Sequence, residues 1–464
     1  MFFLILLTLA LPSIAFADEA SMGGTGGNVE IMSNNDIQMV NESIEINVYP
    51  STNEERNWET FDWNDPEAQK SLRGYLTYVI IYTFRNTTDQ TLEVTMGFPE
   101  TCNYSCDDDY SDNEIKLQDF KAYQKMNESW QLLKTAFEQA QTAEEGSRNW
   151  YLSTVPFPPG NTEIKNTYWV LPSAYKDGQR WASYTIETGA SWKDTIEQAD
   201  IVVKFNEGLT PYDVSDITPV NYTFDTKKGT LEWHFTQLKP TENDNLHFGY
   251  RDVNEERMMC SMADINMDAT DFADFSGTAS TYLPSTNEAL YYFPCKGYDY
   301  NLETAWVEGA EGDGIGEWLE IPLENPMYRQ KKRTYEKLQI FNGYGSNKTL
   351  WEENNRVAKI KITFSNGEEQ TYELEDIYGF QTLDLDKKIS DVTSAKIEIL
   401  EIYKGTTYND TALTEVRFLG LIEKTPPTEE NPSAQETTPD NSSTSNKLRK
   451  ATPKDLWGKT GLTR

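Results

Sequence analysis

A chain of 464 residues, 38% hydrophobic and 12% aromatic, carries enough apolar material for two or three packed domains. Its formal charge of −34 at pH 7 repels nucleic-acid phosphates and anionic lipid headgroups, which excludes a nucleic-acid-binding protein. Most of the carboxylates keep the chain soluble, and some are available as oxygen ligands for calcium.

Residues 1–17, MFFLILLTLALPSIAFA, form an apolar run ending in Ala15-Phe16-Ala17, the small-x-small pattern of a signal-peptidase site. The run is short for a membrane anchor and is broken by Pro12. A secreted or cell-surface location is expected, with no transmembrane span in the mature chain. Residues 18–35, with SMGGTGGN at their centre, are expected to be a disordered lead.

From 36 to 255 the sequence is strand-like: SIEINVYP, YLTYVIIYTF, LEVTMGFP, WYLSTVPFP, IKNTYWVLP, ADIVVKF and LEWHFTQL are typical stretches. They are rich in Val, Ile, Tyr, Thr and Phe and are separated by Asn, Gly, Pro and Asp, which predicts a β-sandwich. One interruption reads as a helix. Near 126–143, MNESWQLLKTAFEQAQTA places Trp130, Leu133, Phe137 and Ala140 at helical spacing, with Asn127 in position to cap it.

Four cysteines in an exported chain are expected to be oxidised; of the three possible pairings, Cys102–Cys106 with Cys260–Cys295 is preferred, with a four-thiolate zinc site as the alternative. The acidic stretches CDDDYSDNE, with Asp107 and Asp109, and DINMDATDFADF, with Asp264, Asn266 and Asp268, begin like calcium loops. Both lack the glycine and glutamate that complete one, and read as solvated loops. The two histidines, His234 and His247, sit in aromatic strand patterns outside any hydrolase motif and read as sheet residues rather than a catalytic dyad. No catalytic residue is assigned, and among 75 acidic residues no glycosidase pair stands out.

After a connector at 256–274, residues 275–421 give a second set of strands, including WLEIPL, YEKLQIFNGY, RVAKIKITFSNG and SAKIEILEIY. AKIKITF and QTYELED form a hairpin across Ser365-Asn366-Gly367-Glu368-Glu369. Before them, GDGIG places glycines at 312, 314 and 316. A phosphate loop needs a helix after its glycines, whereas EWLEIPL is strand-like and stopped by Pro322. The glycines therefore read as a tight turn between strands, with Trp306 and Trp318 as core anchors. Residues 422–464 are a Pro/Thr/Ser/Glu-rich linker with a basic tail and are expected to be disordered.

The ordered series SGTASTYLPS, YDYNLETAWVEGAEGDGIGEWLEI, FNGY, ENNRVAKIKITFSNG and IYKGTTYNDTALTEVRFLG resembles a discoidin-like jelly roll of the galactose-binding-like class. It is most similar to the glycan-binding, or translocation, domain of secreted bacterial NAD-glycohydrolases. The resemblance implies a glycan or cell-wall ligand; the catalytic domain of those enzymes is not visible, so their activity is not implied. In relatives the first loop reads Asp-Gly-Asp-x-x-Thr-x-Trp and, with a Glu on the last strand, holds a structural calcium. Here the matching positions make Asp299, Asn301, Thr304 and Glu415 the candidate calcium ligands, with Tyr300 in place of the glycine and Asn301 in place of the second Asp.

Such modules bind ligands with loops at one end, an aromatic face stacking on a sugar while polar groups bond its hydroxyls. The candidates are Asn342, Tyr344, Trp351, Asn355 and Arg356, with Tyr408 and Asp410 on another loop. The opposing reading makes Asn355 and Arg356 loop fasteners and Tyr344 a core residue. Residues 36–255 resemble an uncharacterised family of bacterial secreted β-rich domains, which implies no reaction. The expectation is an all-β protein: an N-terminal β-sandwich with a helical insertion and a C-terminal discoidin-like jelly roll, non-catalytic and carbohydrate-recognising. The alternatives are a secreted carbohydrate-active enzyme targeted by that module, or a structural protein with protein partners.

Overall fold

The computed structural model describes residues 30–31, 36–52, 62, 65–101, 117–139, 148–174, 179–254, 278–284, 292–323 and 332–424. The leader 1–17, the connector 256–274, both acidic calcium-like stretches, Cys102, Cys106, Cys260 and the tail beyond 424 lie outside the described residues.

The strand Tyr75–Asn86 shows why this half of the chain is a sheet. Leu76, Tyr78, Ile80, Tyr82 and Phe84 are fully buried and the residues between them are half-buried, a strict period of two. It lies in an eight-stranded sheet, in the order Thr223–Asp225, Thr230–Leu238, Ile196–Phe205, Ile37–Tyr49, Tyr75–Asn86, Gly160–Val170, Gln118–Met126, Ser129–Leu132. Ile196–Phe205 runs parallel to Ile37–Tyr49; the other neighbours are antiparallel.

Two four-stranded sheets pack on this one. The first is built on Leu92–Thr101 and Arg148–Phe157, the second on Gln179–Tyr184 and Leu246–Arg251. A single apolar cluster joins Val94, Phe98 and Val155 of the first and Phe248 and Tyr250 of the second to Ile46, Tyr78 and Ile201 of the large sheet. One carboxylate, Glu42, is sealed inside and accepts a hydrogen bond from the Tyr184 hydroxyl (3.2 Å), which in turn meets Tyr82 (3.2 Å). Burial, followed by neighbouring tyrosine and Glu42 charge, pushes the Tyr184 phenol well above its ordinary range.

Three expectations are corrected here. The described residues 126–139 of the expected helix form strands instead: Met126 ends one strand, Ser129–Leu132 returns beside it, and Ala136–Glu138 joins the other sheet against Leu152, Tyr151 and Trp150. Asn127 and Glu128 hold φ of 47° and 64°, the left-handed pair of a two-residue hairpin turn, so Asn127 makes a turn rather than a helix cap. Of the residues at helical spacing, Leu133 packs on the core and Phe137 is 54% exposed, while Ala140 lies outside the described residues. A helix does form at Pro66–Arg73. Asp65 caps it by accepting from Glu67 N, Pro66 opens it, and Gly74 (φ 71°) closes it where a Cβ would lie 2.4 Å from Tyr49 O. Glu30–Ile31, within the lead expected to be disordered, adds an edge strand against Met96 and Gly97.

The C-terminal part is a jelly-roll sandwich. A five-stranded sheet runs Thr278–Ala279, Trp318–Pro322, Ser394–Tyr403, Arg356–Phe364, Glu369–Glu373, and faces a four-stranded one running Trp306–Val307, Ala412–Ile422, Arg333–Asn342, Phe380–Ile389. Trp306, Leu338, Ile340, Ile360, Ile362, Ile397 and Leu413 fill the space between. The hairpin turn is as expected, with Gly367 at φ 85°. Trp318 is not a core anchor: it is half-buried on the outer face with Lys396 over its ring (5.4 Å), and Leu319, one residue on, points inward.

The two sandwiches share a seam. Arg333 donates to Tyr212 O (2.8 Å), Val214 O (2.7 Å) and Gly420 O (2.8 Å), and Ile422 enters the N-terminal core. The described residues up to 424 form one compact unit.

Candidate functional site

Four connections of the jelly roll are tied together at one end: 308–317, 343–355, 374–379 and 404–411. The knot is Asn355. Its amide donates to Asn409 O and to Asp313 Oδ1 (3.5 Å), while its oxygen accepts from Gly405 N (2.8 Å). Beside it, Arg356 makes a bidentate pair with Asp376 (Nε to Oδ1 3.0 Å, Nη2 to Oδ2 2.8 Å), donates to Asn354 O and Lys404 O, and lies on the Trp351 ring at 4.6 Å. Trp351 Nε1 donates to Asn342 O (2.8 Å), and the Asn342 amide closes on Val357 from both sides. Asn342, Tyr344, Trp351, Asn355 and Arg356 are all buried. They occupy the loop end expected of a binding site, but as its frame rather than its surface.

The glycine loop belongs to this frame. Gly314 (φ 68°) lies so close to Glu308 that a Cβ would sit 2.6 Å from its side chain. Glu308 is fully buried and accepts from Thr411 N (3.1 Å) and Ala310 N (2.8 Å), so the loop wraps a carboxylate. Burial pushes this carboxyl up, the two backbone donors pull it down, and the charges of Asp410 and Glu317 add to the rise. Asp313, at the loop tip, is held below the usual carboxylate range, first by its hydrogen bond from Lys404.

What the frame presents to solvent is aromatic and acidic. Tyr408 is 45% exposed and Tyr378 43% exposed. Tyr378 is steadied by its hydroxyl on Gly345 O (2.9 Å) and by edge contacts with Phe341 and Trp351; Tyr408 is steadied by its N–H on Glu353 O (2.9 Å). Asp376 and Asp410 flank them, Asp410 giving its carbonyl to Asn355 N. Of the expected ligand-facing side chains, Tyr408 is the exposed one. Tyr378, in EDIYGFQ, was missed; its signal is an aromatic beside a glycine in a short acidic connection between strands.

The family model describing the NAD glycohydrolase translocation F5/8 type C domain matches residues 273–419. This part of the chain is an F5/8 type C domain. No curated protein matches the chain. Among solved structures it is similar to a Legionella pneumophila protein described as a candidate nutrient-binding protein, at 19% identity and TM-score 0.36, over 49% of this chain and 71% of that one. It is also similar to the family 32 CBM of C. perfringens NanJ, solved in complex with galactose, at 18% identity and TM-score 0.23, over 30% of this chain and 89% of that one. A third similar structure is an F5/8 type C domain from Bacteroides fragilis, at 17% identity and TM-score 0.22, over 34% of this chain and 95% of that one.

Within the F5/8 type C domain, the expected calcium positions come together around Asp299, with Glu415 reaching Tyr300 N. Asp299 and Glu415 are fully buried. Thr304 donates its hydroxyl to both Asp299 oxygens (2.9 Å each), and Asn301 uses its side-chain oxygen to accept from Glu303 N (3.0 Å). Among the described residues, no three His, Cys, Asp or Glu side chains gather as a metal-ligand group. Cys295, the one described cysteine, is buried beside this loop.

The histidines stand in different sheets of the N-terminal sandwich. His234 pairs with Asp200 on the exposed face of the large sheet, and His247 stacks on Trp181 at 5.0 Å. No helix among the described residues is long and apolar enough to cross a membrane.

Proposed function

We propose that this is a secreted or cell-surface protein, without catalytic activity of its own, whose F5/8 type C domain binds the carbohydrate of a glycan or cell-wall polymer. The observation that carries the reading is the pair of exposed tyrosines, Tyr378 and Tyr408, held at the loop end by a rigid buried frame. The Tyr378 ring, fixed in this way, offers an apolar platform to one face of a sugar at little entropic cost, Tyr408 adds a second exposed ring, and the neighbouring Asp376 and Asp410 carboxylates accept hydrogen bonds from the sugar's hydroxyls. Because Arg356 is already committed to Asp376, the face has no spare guanidinium there for a sugar carboxylate, which favours neutral sugars. Export and oxidised cysteines belong to the same reading, with Cys295 paired to Cys260.

The test is a glycan array and a purified-wall pull-down with the full chain, beside Tyr378→Ala and Tyr408→Ala. Binding that falls at least tenfold in each variant supports the reading; no binding to any glycan or wall preparation sinks it. Peptide mapping without reductant separately reports whether Cys260 and Cys295 are joined.

A further inference from the structure

Asp299 and Glu415 are withdrawn wholly from water, and each faces a cation of the chain itself. Lys296 is buried, with Nζ 3.8 Å from Asp299 Oδ2. Arg417 donates Nε to Glu415 Oε1 (3.3 Å) and lies over the Tyr300 ring at 4.4 Å. Two buried negative charges thus meet two positive ones. The balance matters because an uncompensated buried charge is strongly destabilising. Other acceptor positions are also engaged: Asp299 takes the Thr304 hydroxyl and Asn301 N (3.1 Å), and Glu415 Oε2 takes Tyr300 N (2.9 Å).

This arrangement does not fit calcium. That ion takes about six to eight oxygen ligands, whereas Asp299 and Glu415 already take N–H and O–H donors from Asn301, Thr304, Tyr300 and Arg417. A divalent cation beside Asp299 would also stand against the Lys296 ammonium with little water to screen the repulsion. The chain turns Lys296 inward through the short turn Pro294–Gly297, immediately before the Asp299 loop; Gly297 allows it, since a Cβ there would lie 2.8 Å from Leu319.

We propose that Lys296 is the built-in counter-ion of this F5/8 type C domain: its ammonium supplies the positive charge that a bound divalent metal would supply, so the protein folds without one. The proposal is independent of the ligand at the loop end. It is tested on the full chain by thermal unfolding in excess EDTA and in millimolar calcium chloride, with elemental analysis of the purified protein. The expected result is one melting temperature in both solutions and far less than one calcium per chain. Lys296→Met is expected to melt several degrees lower in EDTA and to regain part of that loss in calcium, because the substitution leaves Asp299 without its cation. Stoichiometric calcium in the wild-type protein, or a wild-type melting temperature that falls in EDTA, overturns the proposal. So does a Lys296→Met variant as stable in EDTA as the wild type. If that variant does not fold, the wild-type measurements decide.

Discussion

Tyr212 of the N-terminal sandwich donates its hydroxyl to Glu336 of the jelly roll at 2.5 Å, and Lys388 holds the other oxygen of the same carboxylate at 2.5 Å. With the Arg333 contacts to Tyr212 O and Val214 O, this makes the seam polar and directional, so that it sets the relative position of the two sandwiches. Tyr212→Phe keeps the ring and removes only the donor. A loss of about 1–2 kcal/mol is expected in urea unfolding, with the glycan affinity of the loop end unchanged, because the seam involves none of the four loop-end connections.

The same carboxylate gives the seam a pH dependence. Burial pushes Glu336 up, but the hydrogen bonds from Lys388 and Tyr212 outweigh it and hold the group below its ordinary value. A lowered folded-state pKa means that the contribution is fully present above the ordinary glutamate value and is lost as pH falls through the depressed one. Unfolding midpoints should therefore drop more steeply below about pH 4.5 in the wild type than in Glu336→Gln. Equal slopes would show that the seam does not titrate there.

Gly314 is the glycine of GDGIG whose replacement should be felt most. Its φ of 68° disfavours any side chain, and a Cβ would also press on buried Glu308; Gly312, at φ 119°, has open space around it. Gly314→Ala is expected to cost about 1–3 kcal/mol from backbone strain and the displaced carboxylate. Gly312→Ala should cost less, and differential scanning calorimetry of the two variants gives the ordering.

The hairpin at Asn127-Glu128 explains where reading the sequence succeeds and where it does not. The long strands were legible because burial on one face imposes alternation, as at Leu76, Tyr78, Ile80, Tyr82 and Phe84. Trp130, Leu133 and Phe137 match helical spacing only by coincidence. Trp130 and Phe137 lie on strands of different sheets with Leu133 in the link between them, and Lys165 sits 4.7 Å from the Trp130 ring, a tertiary contact that no local pattern encodes. The Pro66–Arg73 helix had its signals in plain view, Asp-Pro-Glu at the start and Gly at the end, but is too short for periodicity to reveal. At the site, aromatic and polar types pointed to the right loops without telling frame from surface, since burial of Arg356 depends on Asp376, twenty residues away. Glu128→Gly should raise stability by about 0.5–1 kcal/mol by relieving its left-handed φ of 64°. Unchanged far-UV circular dichroism with a higher melting temperature would confirm the turn; gained helix signal would contradict it.

Arg356 and Tyr408 separate the frame of the site from its surface. Arg356 uses its planar fork for both oxygens of Asp376 while Nη1 reaches Asn354 O and Lys404 O, a geometry that a lysine cannot reproduce. Arg356→Lys leaves part of a buried network unsatisfied and is expected to lower stability by about 2–3 kcal/mol. It should also weaken glycan binding, because Asp376 and Tyr378 lose the support that aims them. Tyr408→Ala removes an exposed ring that closes no buried network; stability should stay within about 0.5 kcal/mol while affinity falls. Urea unfolding and calorimetric titration with the best array ligand distinguish the two patterns. If Arg356→Lys binds with full affinity, the frame does not position the face, and if Tyr408→Ala does, the sugar platform lies elsewhere.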